Sequence, residues 1–85
     1  MSVRVRLFGL LRLDTGIREL ELEAGSVREL YPKLAEELRR RDENCPLKER
    51  DLRGCVVSVN DRLSKPGTGL KDGDVVCLIP PVAGG

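Results

Sequence analysis

The chain has 85 residues, of which 40% are hydrophobic and 34% charged, with 15 basic side chains against 14 acidic ones and a net charge of +1. That length holds one domain with a small core, and that hydrophobic share fits a folded globule and not a disordered segment. The near-neutral balance gives no electrostatic footprint for nucleic acid or an anionic membrane, and two aromatic residues, Phe8 and Tyr31, make no base-stacking platform.

The longest nearly apolar run, residues 75–83, is interrupted by Pro80 and Pro81 and is far too short to span a bilayer. The opening MSVRVRLF lacks the apolar stretch of a signal peptide, so the expectation is a cytoplasmic protein with neither nucleic acid nor membrane as partner. The 3 cysteines, Cys45, Cys55 and Cys77, are odd in number, widely spaced and without any histidine, which argues against a disulfide framework and a zinc site. Cys55 and Cys77 lie in apolar runs and are expected as buried core thiols, whereas Cys45, in NCPLK, is expected at the surface.

At the N-terminus Val3, Val5 and Leu7 alternate with Arg4 and Arg6, the period of a half-buried strand. Asp14, Thr15 and Gly16 supply turn chemistry, and Leu20 and Leu22 then alternate with Glu19, Glu21 and Glu23. The two segments read as a β-hairpin whose outer face pairs arginines with glutamates. Ser26 and Glu29 form a capping-box signature. Behind it, Val27, Leu30, Tyr31, Leu34, Ala35 and Leu38 make one apolar helical stripe. Glu29–Lys33, Glu36–Arg40 and Glu37–Arg41 are spaced for ion pairing, and Arg39, Arg40 and Arg41 suit a helix C-terminus. Pro32 predicts a kink or a loose first turn. DENCPLKERDLRG reads as a loop with little regular structure.

Cys55, Val57 and Val59 share one face of a further strand, Asn60-Asp61 predicts a tight turn, and a short strand follows over residues 62–64. KPGTGLKDGD is turn-rich, and VVCLI is apolar without alternation, as in the middle of a sheet. The expected class is α+β: strand order β-β-α-β-β-β in one mixed sheet, with one main helix packed across it and the first and last strands parallel and central. Residues 1–79 would form this domain and residues 80–85 an extended tail.

Catalytic parts are scarce. Without histidine there is no ordinary base near neutrality and no Ser-His pair. PGTGLKDGD has the wrong spacing for a phosphate loop and precedes a strand. The acidic residues lack metal-binding spacing, so neither a metal nor a bound cofactor is expected.

The closing PPVAGG carries the functional signal. Pro80 and Pro81 lack donors and fix φ, so strand pairing should stop near Ile79 and the chain should leave the sheet extended and stiff. Val82 and Ala83 offer a modest apolar grip, and Gly84 and Gly85 pass where a side chain would clash. Such an arm would deliver a terminal carboxylate into a narrow site on another protein. A carboxylate needs a leaving group before a sulfur or nitrogen nucleophile attacks it, and adenylation by ATP would supply one.

The strand order, LKDGDVV before the last strand, the opening VRVRLFG and the closing PPVAGG resemble the ubiquitin-like sulfur carriers of the MoaD/ThiS superfamily, with the β-grasp fold. The resemblance spans essentially the whole chain and is nearest to the MoaD-like small subunits of molybdopterin synthase. It implies that a MoeB-like E1 enzyme adenylates Gly85 with ATP. A sulfurtransferase step would then leave a thiocarboxylate there. Residues 80–83 would dock, and Gly84 would be the slender neighbour. A MoaE-like large subunit would use the sulfur on cyclic pyranopterin monophosphate to build the dithiolene of molybdopterin. The chain itself would be the non-catalytic, sulfur-donating subunit. Two related roles share this tail: a carrier for another sulfur pathway such as the thiazole of thiamine, and a modifier joined to lysines by isopeptide bonds. MoaD proteins often carry an aromatic residue before the two prolines, where this chain has Leu78 and Ile79.

Overall fold

The computed structural model describes residues 1–81. Alternating apolar residues build β1 (Ser2–Leu7), which buries Val3, Val5 and Leu7 on one side and leaves Arg4 and Arg6 on the other. It pairs antiparallel with β2 (Glu19–Glu23), with Val5 opposite Leu20 and Arg4 opposite Glu21. The expected charge pairing across this face is present: Arg4 lies 3.6 Å from Glu19 and 3.8 Å from Glu21, and Arg6 lies 3.7 Å from Glu19. These contacts are long and exposed, so they set register more than they stabilise.

The connection between these strands is not the tight hairpin turn that the sequence suggests. It is a two-turn helix, α1 (Gly9–Thr15), with Leu11 as its buried residue. The Asp-Thr-Gly signal marks this helix's end. Thr15 Oγ1 donates to Leu11 O at 2.7 Å, and Gly16, at φ 71°, donates its N–H to Arg12 O at 2.8 Å.

The main helix, α2 (Val27–Arg41), begins and ends where expected. Ser26 Oγ accepts the Glu29 N–H at 3.2 Å, while Glu29 reaches one residue past the cap to accept the Gly25 N–H at 2.8 Å. Its stripe of Val27, Leu30, Tyr31, Leu34, Ala35 and Leu38 is buried against the sheet. Of the expected pairs, Glu37–Arg41 forms at 2.8 Å, and Glu37 also holds Arg40 at 2.7 Å. The two arginines bring the Glu37 carboxyl down to about 2. Pro32 sits exposed in the second turn and removes the hydrogen bond to Arg28 O, and the helix continues through it. The first turn is bonded, with Leu30 N–H on Ser26 O at 3.2 Å.

The stretch read as a loop contains a second short helix, α3 (Glu49–Arg53), which places Leu52 fully in the core. Arg53 pairs with Glu49 at 2.6 Å and lies over the Tyr31 ring at 5.2 Å. β3 (Val56–Val59) and β4 (Arg62–Leu63) then form the expected two-residue hairpin, with Asn60 and Asp61 at φ 50° and 69°, both in the left-handed region that this turn requires.

β5 (Val75–Ile79) completes a five-stranded sheet in the order β2-β1-β5-β3-β4. It is central and parallel to β1, as expected, with Val5 opposite Val76 and Leu7 opposite Leu78. This is the β-grasp arrangement. Val76 and Leu78 are fully buried under the helix layer. The other face of β5 carries Val75 and Cys77, half-buried, and Ile79, 43% exposed. The absence of alternation in VVCLI therefore reflects an apolar face left open, not burial on both sides.

A polar knot sets the start of β5. Asp74 accepts the Lys71 N–H at 2.8 Å and an Asn60 Nδ2–H at 2.9 Å, while Asn60 Oδ1 accepts the Val75 N–H at 3.0 Å. These donors, Lys71 N–H first, hold the Asp74 carboxyl below the usual carboxylate range. A lowered carboxylate pKa contributes stability above its ordinary value, near pH 4, and loses it as pH falls through the lowered one. The Asp74→Asn variant should therefore melt below the parent at neutral pH, and the gap should close in acid. Thermal unfolding at about pH 7 and about pH 2.5 measures it, and a gap independent of pH would contradict the assignment.

Candidate functional site

The candidate site is the place where the tail leaves the sheet. Because β1 and β5 run parallel, their C-terminal ends lie side by side at one edge of the domain. Leu78 O accepts the Phe8 N–H at 3.2 Å, and Ile79, the last residue of β5, pairs with Val56 of β3. β5 ends at Ile79, and Pro80 and Pro81 follow without a donor to continue the ladder. Pro80 is half-buried and Pro81 exposed.

Pro80 packs on the entry to α1. Gly9 has φ +56°, and a Cβ there would meet Pro80 Cγ at 2.9 Å. The position needs glycine twice over, for its left-handed backbone and for the close approach of the proline ring. Beyond Gly9, residues Leu10, Leu11, Asp14, Leu47, Asp51 and Cys55 join Pro80 and Pro81 in an apolar groove of about 310 Å³. On the other flank, Arg6, Phe8, Arg12, Arg18 and Glu19 line a polar cleft of about 350 Å³, with Arg6 over the Phe8 ring at 5.6 Å.

The open sheet face adjoins the tail's root. Val56 and Ile79 pair across β3 and β5, and both are close to half exposed, at 46% and 43%. Leu63, opposite Ser58, extends the patch and is 81% exposed. Contiguous apolar surface of this kind, bordered by charge, marks a protein interaction face.

Of the residues singled out in the sequence, Pro80 and Pro81 stand at this exit. Val82, Ala83, Gly84 and Gly85 lie outside the described residues. The cysteines are free, as expected, but all three are half-buried, which departs from the core places expected for Cys55 and Cys77 and the surface place expected for Cys45. Cys77 belongs to the open sheet face, opposite Arg6 and Ser58. Cys45 packs against the core's edge beside Thr15, Ile17 and Leu38 instead of standing exposed. Burial, with the Asp51 carboxylate adding to it, pushes the Cys55 thiol up, which disfavours the thiolate a nucleophile needs. Among the described residues no cluster of His, Cys, Asp or Glu is placed to hold a metal ion. Among them, too, no helix is long and apolar enough to cross a membrane.

The sequence reading missed α1 as a wall of the exit. Its signal was Gly9 itself, a glycine two residues past β1, against which Pro80 packs just after β5.

Comparison with known proteins agrees with this geometry. The pattern of the ThiS family matches residues 5–85, so the chain belongs to the ThiS family. It is a ThiS/MoaD-like, ubiquitin-fold sulfur carrier. Similar solved structures include the complex of subunits 1 and 2 of the molybdopterin-converting factor from Helicobacter pylori 26695, at 34% identity over 100% of both chains and a TM-score of 0.64. Another is the BexX/CysO complex of Amycolatopsis orientalis, at 29% identity over 98% of this chain and 99% of that one, with a TM-score of 0.68. The small archaeal modifier protein 1 of Methanosarcina acetivorans is 25% identical over 99% of this chain and 96% of that one, with a TM-score of 0.74. No curated protein gives a significant match.

The Gly9→Ala substitution should cost about 1–2 kcal/mol from the left-handed backbone alone, with a further loss from the displaced proline. Denaturant unfolding measures it. A neutral or stabilising result would mean that Pro80 does not rest on Gly9.

Proposed function

We infer that this chain is the small, sulfur-donating subunit of a molybdopterin synthase. The observation that carries this reading is PPVAGG directly behind a central, parallel last strand, in a chain 34% identical along its whole length to a molybdopterin-converting factor structure that contains both subunits.

On this reading a MoeB-like E1 enzyme joins the Gly85 carboxylate to AMP, releasing pyrophosphate from ATP. A persulfide on a sulfurtransferase displaces AMP to give an acyl disulfide at Gly85, and a second thiol then cleaves the S–S bond, becoming the disulfide partner and leaving a thiocarboxylate on Gly85. ATP is the activating enzyme's substrate, and this chain holds neither cofactor nor metal of its own. A MoaE-like large subunit receives the tail and moves the sulfur to cyclic pyranopterin monophosphate, water supplies the oxygen that returns Gly85 to a carboxylate, and two charged carriers supply the two sulfurs of one dithiolene. Residues 80–83 fill the partner's entry channel, and Gly84 and Gly85 pass its narrowest part because neither carries a side chain. The patch of Val56, Leu63 and Ile79 packs against the partner's body. The site is in the cytoplasm, where ATP and these enzymes are found.

A second reading has support of its own. The archaeal small modifier and CysO structures share this fold across nearly the whole chain, so a carrier for another sulfur pathway or a lysine modifier fits the same scaffold.

The test is reconstitution with the thiocarboxylated chain, a MoaE-like subunit and cyclic pyranopterin monophosphate. Dithiolene formation by the parent, its loss on deletion of Gly85 and an unchanged melting temperature in that deletion are the expected results. A charged carrier that gives no dithiolene but charges a thiazole synthase, or forms conjugates with lysines, would overturn the assignment.

A further inference from the structure

The two flanks of the tail's root carry opposite charge. α1 lies across this root, and its residues 12 and 14 are about 200° apart around the helix axis, so they face opposite sides. Arg12 turns into the cleft that begins at Phe8 and contains Arg18. Asp14 turns into the groove walled by Pro80 and Pro81, with Asp51 on the same rim. Arg6 is already engaged, by Glu19 at 3.7 Å and by the Phe8 ring. Arg12, Arg18 and Asp14 are exposed, and none is in an ion pair among the described residues.

Chain length says what these charges can reach. Four residues follow Pro81, and even fully extended they span at most roughly 14 Å. A tail threaded into a partner carries its carboxylate that far inside, so the root's side chains meet the protein surface around the channel mouth and not the reactants.

We propose that the root of the tail is a two-sided charge collar that docks a channel mouth of opposite polarity, with carboxylates facing Arg12 and Arg18 and a lysine or arginine facing Asp14. This rests on the reading of the chain as a carrier whose tail enters a partner. The collar fixes the partner's rotation about the tail. The apolar sheet patch supplies contact area. Complementary rim charges act mainly on encounter and register, and like charges placed opposite each other oppose docking.

The test is ATP–pyrophosphate exchange by the E1-like adenylating enzyme, with the full chain as the varied substrate. The R12E/R18E variant should raise KM about tenfold or more, with kcat retained, and R12Q/R18Q should move it the same way by less. Asp14→Lys should also raise KM, about threefold, although it makes the chain more basic. Both effects should shrink as ionic strength rises from about 0.05 M to about 0.5 M. R28E/R39E, on the exposed face of α2, should leave KM unchanged. Melting temperatures confirm that each variant is folded.

An Asp14→Lys variant that lowers KM or leaves it alone would overturn the collar, since overall attraction between a basic chain and an acidic enzyme would then suffice. So would an equal effect of R28E/R39E. If the unaltered chain supports no exchange by an enzyme active on its own carrier, the carrier reading itself falls, and the collar with it.

Discussion

The parallel pairing of β1 with β5 is the constraint from which the rest follows. It lines up Leu7 with Leu78 and so brings both strand ends to one edge. A parallel pair needs a long crossover, and everything from α1 to the turn before β5 forms that crossover. The strand that ends in the tail is thereby held in the sheet's centre, with neighbours on both sides. A tail leaving an edge strand would have one rigid flank. This one has α1 and Gly9 on one side and β3 on the other.

Rigidity at the root and slenderness at the tip divide the labour. Leu78 is fully buried and its carbonyl is bonded to Phe8, so the last strand residue before Ile79 is anchored. Pro80 then rests on Gly9, and two fixed φ angles carry the chain away from the sheet. Burial and the Asp51 carboxylate push the Cys55 thiol up, and Cys77 lies on the open sheet face.

Much of this was legible in the sequence. Strand alternation, the Val27-to-Leu38 stripe and the Asn60-Asp61 turn each carry a period or a backbone demand that few other structures satisfy. The two short helices were not legible, because each buries one residue, Leu11 or Leu52, and one residue has no period. Asp14, Thr15 and Gly16 suit a hairpin turn and a helix end equally, and the i−4 bond from Thr15 decided for the helix. The unalternating VVCLI stretch suggested burial on both faces, but apolar composition does not distinguish a face covered within the chain from one kept for a partner. The charges flanking the exit were invisible for a simpler reason: exposed arginines and aspartates have no spacing until the fold places them. The tail was the reverse case, conspicuous in sequence through its composition alone.

The central claim is that Gly85 carries sulfur. The most direct measurement is the intact mass of the protein after incubation with an E1-like enzyme, ATP and a sulfur donor, followed by mapping of any change. The carrier reading predicts a gain equal to sulfur replacing oxygen, located at Gly85 and absent without ATP. An unchanged mass, with the same enzyme charging another carrier in parallel, would contradict it.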